Sequence, residues 1–387
     1  WSGHLSDQRV RCPGDQRGHH LYYRRDHSLD HEWDHEWDHL LDHQRDGHLD
    51  YQRGHNVWHF FVIVFQLHYL HQRKYNIFNA VLNHISFYPA ITIQVVPSNT
   101  FASSTSNITT DNLILDTSLI AGYNTYVLAF WTTYAPVMDP GTTGGPMDSI
   151  AAWTSLSDAD RTAAKQKFHD ADIRLTFTCF GGLDQRPAWT AADATAMGTE
   201  IAEFVQKYQF DGVDIDFEDF GYAQNSQPEA IVFLTTIFQT IRQALPRPYI
   251  LSASVSPSWM VPGRLFSNMP GSVAAAVIDD LDYINGMYYY GGVGTWDTCP
   301  ELTVASGNYQ GCSTGEVMAQ GIIPASKWLV GMPQFNTDGG NAFSDGVGTA
   351  LGDCLKTVPT EYGGVGTWQY HPQYPAWIGN VRAAAGW

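Results

Sequence analysis

The chain has 387 residues, 44% of them hydrophobic and only 16% charged, which supplies one large core or two ordinary ones and excludes disorder throughout. Lys and Arg number 21 against 39 Asp and Glu, a formal charge of -18 whose field repels the phosphates of nucleic acids and anionic membranes, so neither is an expected partner. Five cysteines without a CxxC pair argue against a disulfide scaffold or a thiolate metal site, although Cys299 and Cys312 are spaced to close a short loop in an oxidising compartment.

Composition divides the chain near residue 84. Fourteen of the 16 His lie at or before His84, whereas the part from Ile85 onward carries 12 basic and 28 acidic residues and so most of the net charge. Residues 1–84 read as a low-complexity or doubtful segment, and 85–387 as a catalytic barrel. The chain begins at Trp1 without a basic segment and apolar run typical of a leader, so a fragment or a faulty reading is expected there. A shifted frame is one account: Asp-His codons moved by one base become Thr-Thr, and Glu-Trp-Asp-His becomes Ser-Gly-Thr-Thr, a linker composition. Sequencing the transcript and finding this frame would refute it. His31, Glu32 and His35 spell HExxH, and His35, Glu36 and His39 spell it again, but the pattern overlaps itself and lacks an apolar helical face, so no zinc site is assigned. The apolar run Val57 to Leu70 is short and broken by His59, Gln66 and His68, which argues against a membrane span.

Beyond the head, short buried strands are predicted at 91–97, 125–131, 173–179, 211–217, 250–256, 283–289, 327–332 and 363–369. The first, ITIQVVP, is the weakest. Helical patterns at 156–170, 191–208 and 227–245, and weaker ones at 271–280 and 313–321, lie between them. Alternation of this kind predicts a parallel sheet closed as a (β/α)8 TIM barrel, with a damaged or incomplete first strand the point of risk. Gly141 to Gly145 reads as a flexible rim loop, and Asn107-Ile108-Thr109 as a glycosylation sequon used only on secretion.

The chemistry concentrates in YQFDGVDIDFEDF. Asp214, Asp216 and Glu218 are two apart, so on a strand their side chains share one face and converge on its carboxyl end, where barrel enzymes work. Crowded carboxylates disfavour one another's ionisation, which keeps a general acid loaded near neutral pH. Glu218, nearest the rim, is the proton donor in this reading; Asp216 bonds to it or to substrate, and Asp214 lies a layer deeper. The plainer reading is an acidic strand end that binds cations or faces water. Asp211 is out of phase and is expected to be structural.

These residues resemble glycoside hydrolase family 18, the chitinase family, whose fourth strand carries DGxDxDxE; Asp211, Gly212, Asp214, Asp216 and Glu218 match without a gap. The resemblance spans roughly Tyr126 to Tyr370. The third-strand SxGG falls on Cys179-Phe180-Gly181-Gly182, with Cys for a Ser that supports the acidic cluster. The sixth-strand Met-x-Tyr falls on Met287-Tyr288-Tyr289, followed by Tyr290 where many members have Asp or Asn. Gly331-Met332-Pro333 is similar to the seventh-strand pattern, and Gly363 to Trp368 to the eighth-strand GGxMxW, with Gly366 for Met.

The resemblance implies a secreted chitinase that cleaves β-1,4-linked N-acetylglucosamine polymers with retention and without an enzymic nucleophile. Glu218 would protonate the glycosidic oxygen while the substrate's acetamide oxygen attacks the anomeric carbon; Asp216 would stabilise the acetamide's developing charge, Tyr289 would orient its oxygen, and Trp368 would form the floor under the sugar. Tyr289 and Trp368 each have an ordinary core reading on pattern alone. Met287, Trp131, Trp259 and Trp296 are further substrate-binding candidates near strand ends, and each Trp reads equally as a stacking plane or a buried anchor. No cofactor or metal is expected, and a monomer is. An endo-β-N-acetylglucosaminidase acting on N-glycans can share the motif and mechanism, and a non-catalytic chitin-binding lectin would retain the barrel without activity, against which the intact Glu218 argues; both stand as alternatives. A dinucleotide enzyme is weak, because Gly363-Gly364-Val365-Gly366 is not GxGxxG.

Overall fold

The structure, a computed structural model, describes residues 113–134, 143–182, 184–186, 188–291, 295–336, 339–358 and 362–387, and the backbone of 92–95. All of them belong to the unit Ser86–Trp387. Both HExxH repeats, the 57–70 run, Cys12 and the 107–109 sequon lie outside the described residues.

Eight parallel strands form the sheet: β1 Thr92–Val95, β2 Thr125–Thr132, β3 Arg174–Phe180, β4 Gly212–Asp216, β5 Ile250–Val255, β6 Tyr283–Met287, β7 Trp328–Met332 and β8 Gly364–Trp368. Each pairs with the next in sequence, and β1 pairs with β2 on one side and with β8 on the other, which closes the ring. The fold is the (β/α)8 barrel, and the first strand is present, four residues long, within the ITIQVVP stretch. Alternation sets the two faces. In β4, Val213 and Ile215 join the apolar shell under the helices, which turns Gly212, Asp214 and Asp216 into the barrel. Register then stacks polar positions in layers: Thr178 beside Asp214 beside Ser252, and Asp216 beside Ser254 beside Asn285.

The longest helices, Ala191–Lys207 and Gln227–Ala244, bury Ala194, Met197, Ile201 and Val205 on one and Phe233, Leu234, Ile237, Phe238 and Ile241 on the other, the three-and-four spacing of a single apolar face. Each large apolar side chain so buried contributes roughly 1.5–3 kcal/mol. Thr190 and Asp193 cap the first of these helices reciprocally, and Pro228 opens the first turn of the second. Helices Asp148–Ser155, Thr349–Lys356 and Trp377–Ala385 were not foreseen; the first lacks a side-chain cap, and the other two follow Gly348 and Ala376, neither a side-chain capping residue.

Two expectations are corrected. Cys299 is bonded to Cys354, not to Cys312, which is a buried free thiol; the short helices Cys299–Thr303 and Thr349–Lys356 pack together and bring the partners within reach. The segment read as a flexible rim loop ends in order: Gly145–Pro146 is a two-residue strand antiparallel to Trp131 and Thr132. No helix among the described residues is long and apolar enough to cross a membrane.

Candidate active site

Asp214 sits inside the barrel, 2% exposed, and its neighbours in the layer solvate it: the Thr178 hydroxyl donates to Oδ2 at 2.9 Å and the Ser252 hydroxyl to Oδ1 at 2.6 Å. Burial raises its pKa, and these hydroxyls, with that of Ser254, oppose the rise. Asp216 is equally buried, and its Oδ1 has no hydrogen-bond partner among the described residues. Burial, then the charges of Glu218 and Asp214, push its pKa well above its ordinary value. Glu218 continues the phase beyond the strand and lines a cleft of about 310 Å³. Burial raises its pKa to about 7, against a hydrogen bond from the Gly182 backbone N–H.

The turn after β3 places that N–H. Gly181 has φ +86°, donates its N–H to the Asp216 carbonyl at 2.8 Å, and lies where a Cβ would come within 2.9 Å of the Phe130 ring. At Gly182 a Cβ would sit 3.5 Å from Glu218 Oε1. The loop beyond the acid is pinned by Asp219, which accepts from Trp189 Nε1 at 2.9 Å, from the Arg186 N–H at 3.2 Å and from the Tyr222 N–H at 2.9 Å. From β6, Met287 and Tyr289 reach the same cleft. Burial, followed by the charges of Asp216, Glu218 and Asp214, raises the Tyr289 hydroxyl well above the ordinary phenol value, so it stays a hydrogen-bond donor. Among the described residues no group of His, Cys, Asp and Glu is placed to hold a metal.

The profile of the glycosyl hydrolases family 18 matches residues 141–371, more than half of the chain and all of the strands that carry these acids. The chain belongs to glycosyl hydrolase family 18. Its structure is similar to that of a chitinase of the family from Pseudoalteromonas aurantia, with TM-score 0.57 and 18% identity over 76% of this chain and 99% of that one. It is also similar to a putative Chitinase A from Streptomyces coelicolor, with TM-score 0.55 and 18% identity over 78% and 99%. A fungal endo-beta-N-acetylglucosaminidase of the family matches with TM-score 0.51 and 14% identity over 76% and 98%. At such identities the likeness speaks for the fold. No curated protein matches the chain in sequence.

Against the family's pattern, the Cys179 position carries no hydrogen bond to the acids. Cys179 is fully buried in the outer shell, and Thr178, one residue earlier and in the inward phase, supplies the hydroxyl. The signal was present in the alternation of RLTFTCF, as were Ser252 and Ser254 in ILSASV. Trp368 ends β8 half-buried, its ring 5.8 Å from that of Phe130, which sequence reading did not single out.

The three other Trp are placed differently. Trp131 is 1% exposed and packs edge-on against Phe180, because a register shift between Leu128 and Trp131 turns it into the shell. Trp259 is buried between Phe220 and Phe266. Trp296 lines the cleft from a buried position, with Tyr309 stacked on it at 6.0 Å. The exposed rings at the cleft belong to Phe220, Tyr290 and Tyr309. A more open depression of about 520 Å³ lies between Leu115–Thr117 and Lys167–Ala171, ahead of β2 and β3 and thus at the opposite end of the barrel from the acids.

Proposed function

We propose that this family 18 chain is a chitinase that hydrolyses β-1,4-linked N-acetylglucosamine chains by substrate-assisted, retaining catalysis. The observation that carries the reading is the state of the acids: Asp216 and Glu218 have no Lys, Arg or His partner among the described residues, and Glu218, at the cleft, keeps its proton up to about pH 7. An acid so poised donates to the glycosidic oxygen as the bond to the leaving sugar breaks. The substrate's acetamide oxygen closes on the anomeric carbon to give an oxazolinium ion, and water opens it as Glu218 takes back a proton. Asp216 bonds to the acetamide N–H and spreads its developing charge, with Asp214 beneath it. Tyr289 donates to the acetamide oxygen and holds it at the angle of attack. Trp368, with Phe130 beside it, forms the floor for the reacting sugar, and Met287 closes the wall.

Secretion fits the Cys299–Cys354 disulfide, which persists in an oxidising compartment. The test is cleavage of defined N-acetylglucosamine oligomers by the wild type and Glu218→Gln, with an N-glycan control. Cleavage lost in the variant supports the reading. Cleavage of the N-glycan alone assigns the endo-β-N-acetylglucosaminidase activity, and oligomer binding without cleavage by the folded wild type assigns a lectin.

A further inference from the structure

The hydrogen bond that opposes the effect of burial on Glu218 comes from a backbone N–H, that of Gly182, so its direction is set by the fold of a turn and not by a side-chain rotamer. That turn is strained. Phe180 and Gly181 are both left-handed, at φ +79° and +86°, and for a residue as bulky as Phe180 this is unfavourable unless the surroundings impose it. On one side of Gly182 the Phe180 ring does so: it is 1% exposed and boxed by Trp131, Trp189 and Phe233.

On the other side stands Asp184. Its N–H closes on the Gly181 carbonyl at 3.0 Å, and its carboxylate reaches away to the end of β2, where it accepts the Thr133 N–H at 2.7 Å and the Thr133 hydroxyl. Asp184 is 1% exposed and stands outside the described lining of the cleft, so it offers nothing directly to a substrate there. Burial raises its pKa, against the two Thr133 bonds and the nearby charge of Arg186. What it does instead is fix the ends of β2 and β3 to one another. Thr133 follows Phe130 by three residues, and the Phe130 ring lies against Gly181 and beside Trp368, so one clamp joins the ring that supports Trp368 to the turn that touches Glu218.

We propose that Asp184 is a positioning residue for Glu218: its clamp on Thr133 holds the turn after β3 so that the Gly182 N–H stays on the acid. The assignment rests on Glu218 being the proton donor, as proposed above, but the hydrogen bond itself can be followed without turnover.

The experiment follows Glu218 in the full chain by two readouts. One is the alkaline limb of kcat/KM on the N-acetylglucosamine hexamer. The other is the upper end of the pH window over which adding Glu218→Gln raises the melting temperature of each protein. The titratable groups that face Glu218 from β4 and β6, Asp216 and Tyr289, stay the same in every variant. Asp184→Ala and Thr133→Val are each expected to move both readouts upward, by up to about one pH unit, because a carboxylate that loses a donor holds its proton longer. Should Asp184→Ala not fold, Thr133→Val carries the test. Asp184→Asn, whose amide can accept the Thr133 N–H and donate to the hydroxyl, is expected to keep both readouts at their wild-type values. Variants that melt lower but leave both readouts in place mark a merely structural residue and overturn the proposal. So does a downward shift, the effect of losing a nearby negative charge, or an Asp184→Asn profile that matches Asp184→Ala. A folded wild type that cleaves no oligomer, with the melting readout shifting as stated, overturns the hydrolase reading and leaves the clamp standing.

Discussion

One stretch of sequence, DGVDIDFE, puts acids at both ends of β4, and the two ends treat them in opposite ways. At the amino end Asp211 accepts the Leu175 N–H at 2.8 Å and pairs with His169 Nε2 and Lys165 Nζ, each at 2.8 Å. At the carboxyl end Asp216 and Glu218 have no cation among the described residues; what surrounds the cluster is hydroxyls, a backbone N–H and one another. Those partners hold the Asp211 carboxylate in place, and through it tie helix Asp158–Asp170 to the sheet. A carboxylate denied them is unstable when charged, and that instability is what a proton donor uses. Structural and reactive acids are therefore told apart by their partners, not by their spacing.

The largest effect that sharpens this contrast is Glu218→Gln. Oligomer cleavage is expected to fall by about a hundredfold to ten-thousandfold, the range for removing a general acid. The same variant is expected to be more thermostable than the wild type at neutral pH. The folded pKa of Glu218 is raised, so between the unfolded value and about 7 the native state holds a proton that the unfolded chain has lost. Native stability thus falls as pH rises through that window. Gln escapes the penalty, and the gain, read as melting temperature, is full above about pH 8 and vanishes near about pH 4.

Asp211→Asn should do the reverse. It removes the charge that the Leu175 N–H, His169 and Lys165 bond, and is expected to cost about 2 kcal/mol in denaturant unfolding while leaving the shape of the pH–rate profile intact. An altered profile would break the contrast between the two ends. The smallest effect is expected from Thr178→Val, which takes one hydroxyl from Asp214: about 1 kcal/mol in stability and a severalfold fall in kcat, whereas Cys179→Ser, in the outer shell, should gain no activity.

Most of the barrel was legible because each strand from 125 onward alternates or runs apolar between breakers, and the structure begins and ends these strands within two residues of the sequence reading. The acids were legible for the same reason, since a period of two fixes their face. Partners across strands were less so. Thr178 rather than Cys179 reaches Asp214 because register, not motif position, decides which hydroxyl lies opposite. The fate of Trp131 turned on a one-strand irregularity that leaves no mark in composition. Phe220 and Tyr309 lie beyond the strands, in a six-residue helix and a loop, where no periodicity separates an exposed ring from a buried one. The Cys299–Cys354 bond joins residues 55 apart, and only the packing of two short helices makes them neighbours.

The central claim, that burial keeps Glu218 protonated into the neutral range, is tested most directly by the pH dependence of kcat/KM on N-acetylglucosamine oligomers, which reports the acid of the free enzyme. The account predicts an alkaline limb that falls with an apparent pKa of about 7. A limb falling in the ordinary glutamate range, near ~4.3, would contradict it.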